Sequence, residues 1–347
     1  MTASGPVAIL YQALPPPEIG GLRKDAKPGG YSDSGADIGF CLRERGVSVL
    51  TPAARPDPLA PMDWVFPDTQ EGIQTAIERG AAVLWANTVL FEGHPLERAL
   101  GTHWMVGQLP AAQQAGDDKF ATNALLRDNG LPLPASVLAA RAEIDSLTPD
   151  SLRARNLHFP LVVKPIRGRG SQGVSRVNDL AALQEAAHAL IASARFGETV
   201  MIEQYLSGVE MTVTVLPRAR GAALALPPVL RFNHHDGVAP YNGVVAVTHN
   251  SRALTGEEQA VPAVQRMMDQ CVTAARLMNA RAPIRIDCRG DAQGVLRLFD
   301  LNMKPNLTGA GRPGRDDQDS LSTIAARAMG WSYGDLLTDM LAQAWRL

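Results

Sequence analysis

The sequence predicts an α/β protein that begins with a parallel, helix-covered sheet. Short apolar runs alternate with helical segments through roughly the first 116 residues, a β/α rhythm that predicts a parallel sheet with covering helices. The chain has 347 residues, 46% of them hydrophobic and 20% charged, which is the profile of a globular protein with material for two or three domains. Near the C-terminus, IRIDCRGDAQGVLRLFDLNMKPN places two apolar runs around a Gly/Asp turn and reads as a β-hairpin. The polar residues of this hairpin organise the rest of the reading.

Taken in order, Val7–Leu10 is a first strand, and residues 15–35, rich in Pro, Gly and charge, are loop. Ser34 caps a helix to about Arg45, Gly46 ends it, and the strand Val47–Leu50 follows. Trp64–Phe66, a helix around Thr69–Arg79 and the strand Ala82–Ala86 continue the rhythm. The first domain ends near Gly116. Asp117-Asp118 then opens a helix that stops at Asn129-Gly130, with Lys119 in its first turn. FPLVVKP (159–165) is a buried strand ending in Lys164, and IRGRGSQGV (166–174) follows it. Gly168, Gly170 and Gly173 allow close backbone approach, and backbone N–H groups of such a loop can cradle phosphate oxygens. It is not the Walker pattern, because no Gly-Lys-Ser/Thr opens a helix here.

Asn178-Asp179 caps an Ala-rich helix to about Ala194, and VMIEQYL (200–206) and EMTVTVL (210–216) are strands. Glu203 interrupts an apolar run, so its carboxylate needs either an ion-pair partner or a ligand. Residues 231–250 carry His234, His235, Asp236, Tyr241 and His249 without a zinc spacing and read as a lid loop. A helix spans Glu257–Met278 with Pro262 in its early turns, and two more cover Ser320–Met329 and Ser332–Trp345.

A formal net charge of −2 argues against nucleic-acid or anionic-membrane partners. Cys41, Cys271 and Cys288 have no paired spacing and read as buried thiols. The N-terminus has neither the basic nor the long apolar region of a signal peptide, and no run reaches membrane-span length. A cytoplasmic location is expected, with a homodimer as the default assembly.

Within the hairpin, alternation puts Arg285 and Asp287 on one face, Ile284, Ile286 and Cys288 on the other, and Asp300 and Asn302 together on the second strand. Two carboxylates and an amide oxygen suit Mg²⁺, which keeps waters and takes remaining ligands from substrate phosphates. The alternative is a surface hairpin in which Arg285 neutralises Asp287.

Laid side by side, DDKFATNALLRDNGLPLP, FPLVVKPIRGRGSQGV, VMIEQYLSGVEMTV, RID, DLNMKPN and DSLSTIAARAMGWSYGDLL resemble, in order, the blocks of the ATP-grasp ligases. Within that superfamily they resemble the D-alanine–D-alanine ligases, over roughly residues 117–347. The resemblance implies an N-terminal α/β domain (1–116) and two subdomains that grip ATP between them (117–205 and 206–347). It implies an ATP-dependent carboxylate–amine ligase that releases ADP and phosphate through an acyl phosphate. Lys119 and Lys164 would hold the nucleotide phosphates, under a loop containing Gly170, Ser171 and Gly173. Glu203, Gln204 and Leu206 would read the adenine edge, and Glu210 the ribose. Asp287, Asp300 and Asn302 would bind one or two Mg²⁺ ions, with Mn²⁺ as the substitute. Arg285 would stabilise charge at the transferred phosphoryl group, with Ser171 beside it, and Ser320 and Leu321 would hold the acceptor's carboxylate.

Departures from the family pattern bear on the substrate. Asp300 stands where the family has glutamate, and Met303-Lys304-Pro305-Asn306 replaces a small turn ending in glycine. Arg312 and Arg315, in a lengthened loop, are candidates for an anion contact. WANTVLFEGHPLE (85–97) replaces the family's HGxxGED segment, and Lys27 falls near the place of its amine-binding glutamate. Glu92, His94 and Glu97 are candidates for a rebuilt polar wall. Lys24 and Lys27 would instead suit an anionic or N-blocked donor, making free D-alanine a poor one. The rival readings are a true D-alanine–D-alanine ligase with a rebuilt donor site and a non-ligating ATP-binding regulator.

Overall fold

The computed structural model describes residues 5–168, 170–234, 237 and 247–347. Its first sheet is parallel, in the order Val49–Leu50, Val7–Tyr11, Val83–Asn87, Trp104–Val106, with Phe66–Pro67 also beside Val7–Tyr11. Val7, Ala8, Ile9 and Leu10 are all buried, as expected of a strand covered on both faces. The helices Ser32–Glu44 and Gln70–Glu78 accompany it. Thr69 caps the second by accepting from the Gly72 N–H. The first helix starts three residues earlier than its sequence suggests. Tyr31, in the left-handed region at φ 67°, is its cap residue, and Ser34 Oγ donates to the Tyr31 carbonyl instead of capping. Residues 15–35 are not all loop: Glu18–Ile19 and Leu22–Arg23 pair across Gly20-Gly21, both at positive φ. Strands of two residues carry too little periodicity to be read from sequence.

The second sheet is antiparallel, ordered Ser175–Val177, Leu161–Pro165, Thr199–Gln204, Ser136–Ala140. Leu183, Ala187 and Ile191 of the helix Leu180–Ala192 pack on Leu161, Val163 and Ile202. The third sheet runs Ser251–Ala253, Val229–Arg231, Glu210–Leu216, Ile284–Gly290, Leu296–Asn302, again antiparallel. Met267, Cys271 and Ala274 of the helix Pro262–Leu277 fill the core beneath it. Pro262 does not sit inside a longer helix. It occupies the first turn of its own, where a missing N–H costs nothing, and a separate turn Gly256–Gln259 precedes it. Cys271 and Cys288 are buried free thiols in this core, and Cys41 is half-buried.

The last two helices, Leu321–Ala328 and Tyr333–Ala342, are capped by Ser320 and Ser332. They return to the first sheet's core, where Leu321, Ala325, Leu336 and Leu337 join Ile9, Ile38 and Leu42. Arg312 and Arg315 reinforce that return. Both guanidiniums donate to Asp37, at 2.8 and 3.0 Å, and Asp37 is fully buried. They tie the 307–319 segment to the first helix, so the anion contact considered from the sequence is not what they make. Burial pushes the Asp37 carboxyl above its ordinary range, with the two arginines opposing.

Candidate active site

The hairpin sets the geometry. Arg285 lies opposite Asn302 and Asp287 opposite Asp300 in the antiparallel register. Ile284, Ile286 and Cys288 point into the core, which leaves the four polar residues on the other face. A register shift between Asp287 and Cys288 follows the pair. Thr212, on the neighbouring strand, donates to Asp287 Oδ1 at 2.7 Å. Arg285 Nε stands 3.5 Å from the same oxygen, beyond a directed bond, and has no hydrogen-bond partner although buried. Burial pushes the Asp287 carboxyl upward, opposed first by Arg285 and reinforced by Asp300. Burial also works against charge on Asp300, yet Lys119 and Lys164 together hold its carboxyl below the usual value.

Lys119 is the first residue of the helix Lys119–Asp128, where the helix field disfavours a cation. Its ammonium donates to Asp300, and that pairing outweighs burial to raise its pKa. Asp118 caps the helix through the Ala121 N–H and also accepts from Arg167 Nη2 at 2.7 Å, which fastens the start of the glycine loop. Within the loop, Gly170 and Ser171 are both at φ 60° and Gly173 at φ 70°. A Cβ on Gly173 would also meet Leu190 at 2.6 Å, so glycine is required there twice over. Arg169 lies outside the described residues.

Lys164, at the end of its strand, donates to Glu203 at 2.6 Å, and Asn123 Nδ2 reaches the other carboxylate oxygen at 3.2 Å. Both charges are almost wholly buried, at 6% and 4% side-chain exposure. Burial pushes the Glu203 carboxyl upward while Lys164 pulls it down. The Gln204 side chain turns back to both backbone groups of His158, at 2.8 and 2.9 Å, so it serves the local fold. Glu210 faces His234 Nε2 at 2.9 Å and Arg289 at 3.6 Å. Ser320 Oγ caps its helix at the Thr323 N–H. His235, Asp236 and Tyr241 of the lid reading lie outside the described residues, and His249 closes a short 3-10 turn.

A cavity of about 310 Å³ collects these groups: Lys119, Lys164, Gly170, Ser171, Glu203, Gln204, Leu206, Glu210, Arg285, Asp287, Asp300, Asn302 and Leu321 all line it. Gly173 and Ser320 do not. Arg231 was missed from the sequence. It lines the cavity, lies opposite Glu210 in the sheet, is 9% exposed, and has a buried Nε without a hydrogen-bond partner. Burial lowers its pKa against the pull of Asp287 and Glu210. An arginine after two apolar residues at a strand end gives no signal until the register is known.

A second cavity, of about 390 Å³, shares Lys119, Arg285, Asp300, Asn302 and Lys304 with the first and extends toward Pro16, Leu22, Val89 and Phe196. The polar wall considered from the sequence does not form there. His94 is buried against Asp68 at 3.2 Å and the Leu96 N–H, Glu92 and Glu97 are exposed, and none of the three lines either cavity. Lys24 donates to Asp117, and Lys27 lies 4.0 Å over the Tyr31 ring, so neither forms a simple cationic rim.

A sequence model described as the D-ala D-ala ligase C-terminus matches residues 125–342, more than half of the chain. The chain belongs to that family. A D-alanine–D-alanine ligase of Mannheimia succiniciproducens is 30% identical over 224 residues, covering 65% of this chain and 66% of that protein. One of Psychrobacter is 29% identical, covering 67% and 63%. The chain thus spans just under two thirds of the length of these relatives. An uncharacterized protein of Sinorhizobium fredii matches almost end to end, 25% identical over 97% of this chain and 91% of that one. The crystal structure of a Bacillus anthracis D-alanine–D-alanine ligase complexed with ATP superimposes with TM-score 0.67 at 16% identity, covering 97% of this chain and 96% of that one. The fold of this family member is therefore the ATP-grasp α/β fold of the D-alanine–D-alanine ligases. The family match begins after the parallel sheet, so Lys27 and residues 85–97 lie outside it, while Asp300 and residues 303–306 lie within it.

Proposed function

We propose that the protein is an ATP-dependent carboxylate–amine ligase. The convergence of Lys119, Lys164, Arg285, Asp287, Asp300 and Asn302 in one cavity of about 310 Å³ carries this reading, in a chain whose family is that of the D-alanine–D-alanine ligases. A carboxylate is a poor electrophile because its oxygen is an unusable leaving group. Its oxygen attacks the γ-phosphorus of ATP, the bond to the β-phosphate oxygen breaks, and ADP leaves. The amine nitrogen then attacks the acyl carbon, the bond to the phosphate oxygen breaks, and phosphate leaves as the nitrogen loses its proton.

Such transfer depends mainly on positioning and electrostatic stabilisation. Lys119 and Lys164 would face the nucleotide phosphates, Arg231 would add a third cation, and Arg285 would face the transferred group. Glu203 and the backbone of Gln204 and Leu206 would meet the adenine, and Glu210 the ribose. Gly170, Ser171 and Gly173 would shape the covering loop, and Leu321, on the helix that Ser320 caps, would border the acceptor.

Among the described residues no three His, Cys, Asp or Glu side chains form a metal cluster. Asp287, Asp300 and the Asn302 amide oxygen nevertheless fit a hard cation that completes its shell from phosphates and water. Mg²⁺ held there would neutralise phosphate charge. No described helix is long and apolar enough to cross a membrane; a cytoplasmic site of action, where ATP is available, fits this reading.

The nucleotide products test the mechanism. Turnover with a competent carboxylate and amine is expected to yield ADP and phosphate. AMP and pyrophosphate would replace the acyl phosphate by an adenylate.

A further inference from the structure

We infer that the second cavity receives the carboxylate donor, and that this donor carries an apolar tail and no free α-ammonium group. The inference rests on the ligase reading above. The inner end of the cavity is the reaction centre, since it shares Lys119, Arg285, Asp300 and Asn302 with the nucleotide cavity. Arg285 lines both cavities at this junction, and its guanidinium suits a carboxylate. The outer end is walled by Pro16, Ile19, Leu22, Val89, Leu90 and Phe196. Leu22 packs so closely on Gly197 that a Cβ there would lie 2.6 Å from its methyl carbon. The small hairpin of the N-terminal region thereby closes against the second sheet's side of the cleft.

The charges decide what fills this space. Only three carboxylates line the cavity among the described residues, and each is in an ion pair: Asp117 with Lys24, Glu198 with Arg141, Asp300 with Lys119. An α-ammonium would have to displace a cation already in place or remain without a carboxylate partner in the cleft, which is costly. The cations toward the outer end are engaged as well. Arg23 lies 3.6 Å from Glu18, Arg167 lies 2.7 Å from Asp118, and Arg195 pairs with Asp25. A second anionic group on the tail therefore gains little. What matches is one carboxylate at the inner end and an uncharged apolar body at the outer end. A volume of about 390 Å³ lies within the ~300–1,000 Å³ of pockets that enclose ligands larger than an amino acid.

The pair N-acetylphenylalanine and phenylalanine isolates the ammonium, with octanoate, phenylacetate and D-alanine as further donors and a mixture of amino acids as acceptors. Phosphate release is measured for each. Calorimetric binding to protein loaded with a non-hydrolysable ATP analogue and Mg²⁺ gives a readout without turnover. We expect the acylated and unaminated acids to bind and to exceed their free-amine counterparts in kcat/KM by about 10-fold or more. Leu22→Asp should reduce that advantage by about 10-fold while leaving the KM for ATP unchanged. Higher kcat/KM for phenylalanine or D-alanine would overturn the donor inference and leave the ligase reading standing. Binding of the apolar acids without phosphate release from any donor would keep the occupant and remove the ligase reading. Neither binding nor release would remove both.

Discussion

The two cavities meet at the same side chains but differ in how their charges are held. In the first cavity the pair Lys164–Glu203 is 6% and 4% exposed. At the mouth of its neighbour, Arg195–Asp25 is 49% and 68% exposed, and Arg141–Glu198 is 53% and 69% exposed. Buried partners depend on each other, because either one left alone is an uncompensated charge in a medium of low dielectric. Exposed pairs contribute little and are screened by salt. One half of the cleft is therefore part of the fold's own stability, and the other can change its lining at small cost.

The largest expected effect breaks the buried half. Lys164→Met removes the cation proposed to face the phosphates and leaves Glu203 buried without its ion-pair partner, which should destabilise the protein by about 3–5 kcal/mol. Adding Glu203→Gln should restore most of the Tm without restoring ATP binding. A single variant with unchanged Tm and normal nucleotide binding would show the pair to be dispensable.

Next comes the hairpin. Asp300→Ala and Asn302→Ala should each lower kcat by at least about 100-fold, the scale on which transition-state charge stabilisation acts. Circular dichroism should show the fold retained, because the hairpin's core face, Ile284, Ile286 and Cys288, is untouched. Near-normal turnover of Asp300→Ala at saturating Mg²⁺ would return the hairpin to a purely structural role.

The same division governs what could be read from the sequence. Strand alternation placed Arg285, Asp287, Asp300 and Asn302 on one face, and the register bears that out. Lys119 and Lys164 were marked by position, one in a helix's first turn and one at a strand's end. Their partners were not legible, because Asp300 is 181 residues from Lys119 and Glu203 is 39 from Lys164. The second cavity was less legible still. Its walls come from Pro16, Leu22, Val89 and Phe196, which sit in loops or two-residue strands where no period exists to reveal a shared face. His94 looked like a polar wall in sequence, but Asp68 holds it inside. Arg312 and Arg315 looked like anion ligands, but Asp37 engages both.

Arg231 sharpens the comparison because it is buried like Lys164 but held differently. Its Nε has no hydrogen-bond partner, and burial already weakens its charged form despite Asp287 and Glu210 nearby. A buried cation without a directed partner does not stabilise a fold. Its place in the cavity wall instead fits an anion that arrives with the ligand. Arg231→Gln should therefore raise the KM for ATP by about 10-fold, the range for one charge-assisted contact of about 1.4 kcal/mol, with a smaller change in kcat. Its Tm should stay level or rise, opposite in sign to Lys164→Met. Arg231→Lys, which keeps the charge without the planar fork, should recover part of the affinity. Steady-state kinetics and thermal melts on the two variants check this. A drop of several degrees in Tm with an unchanged KM would make Arg231 a structural member of the sheet and leave the phosphates to Lys119 and Lys164.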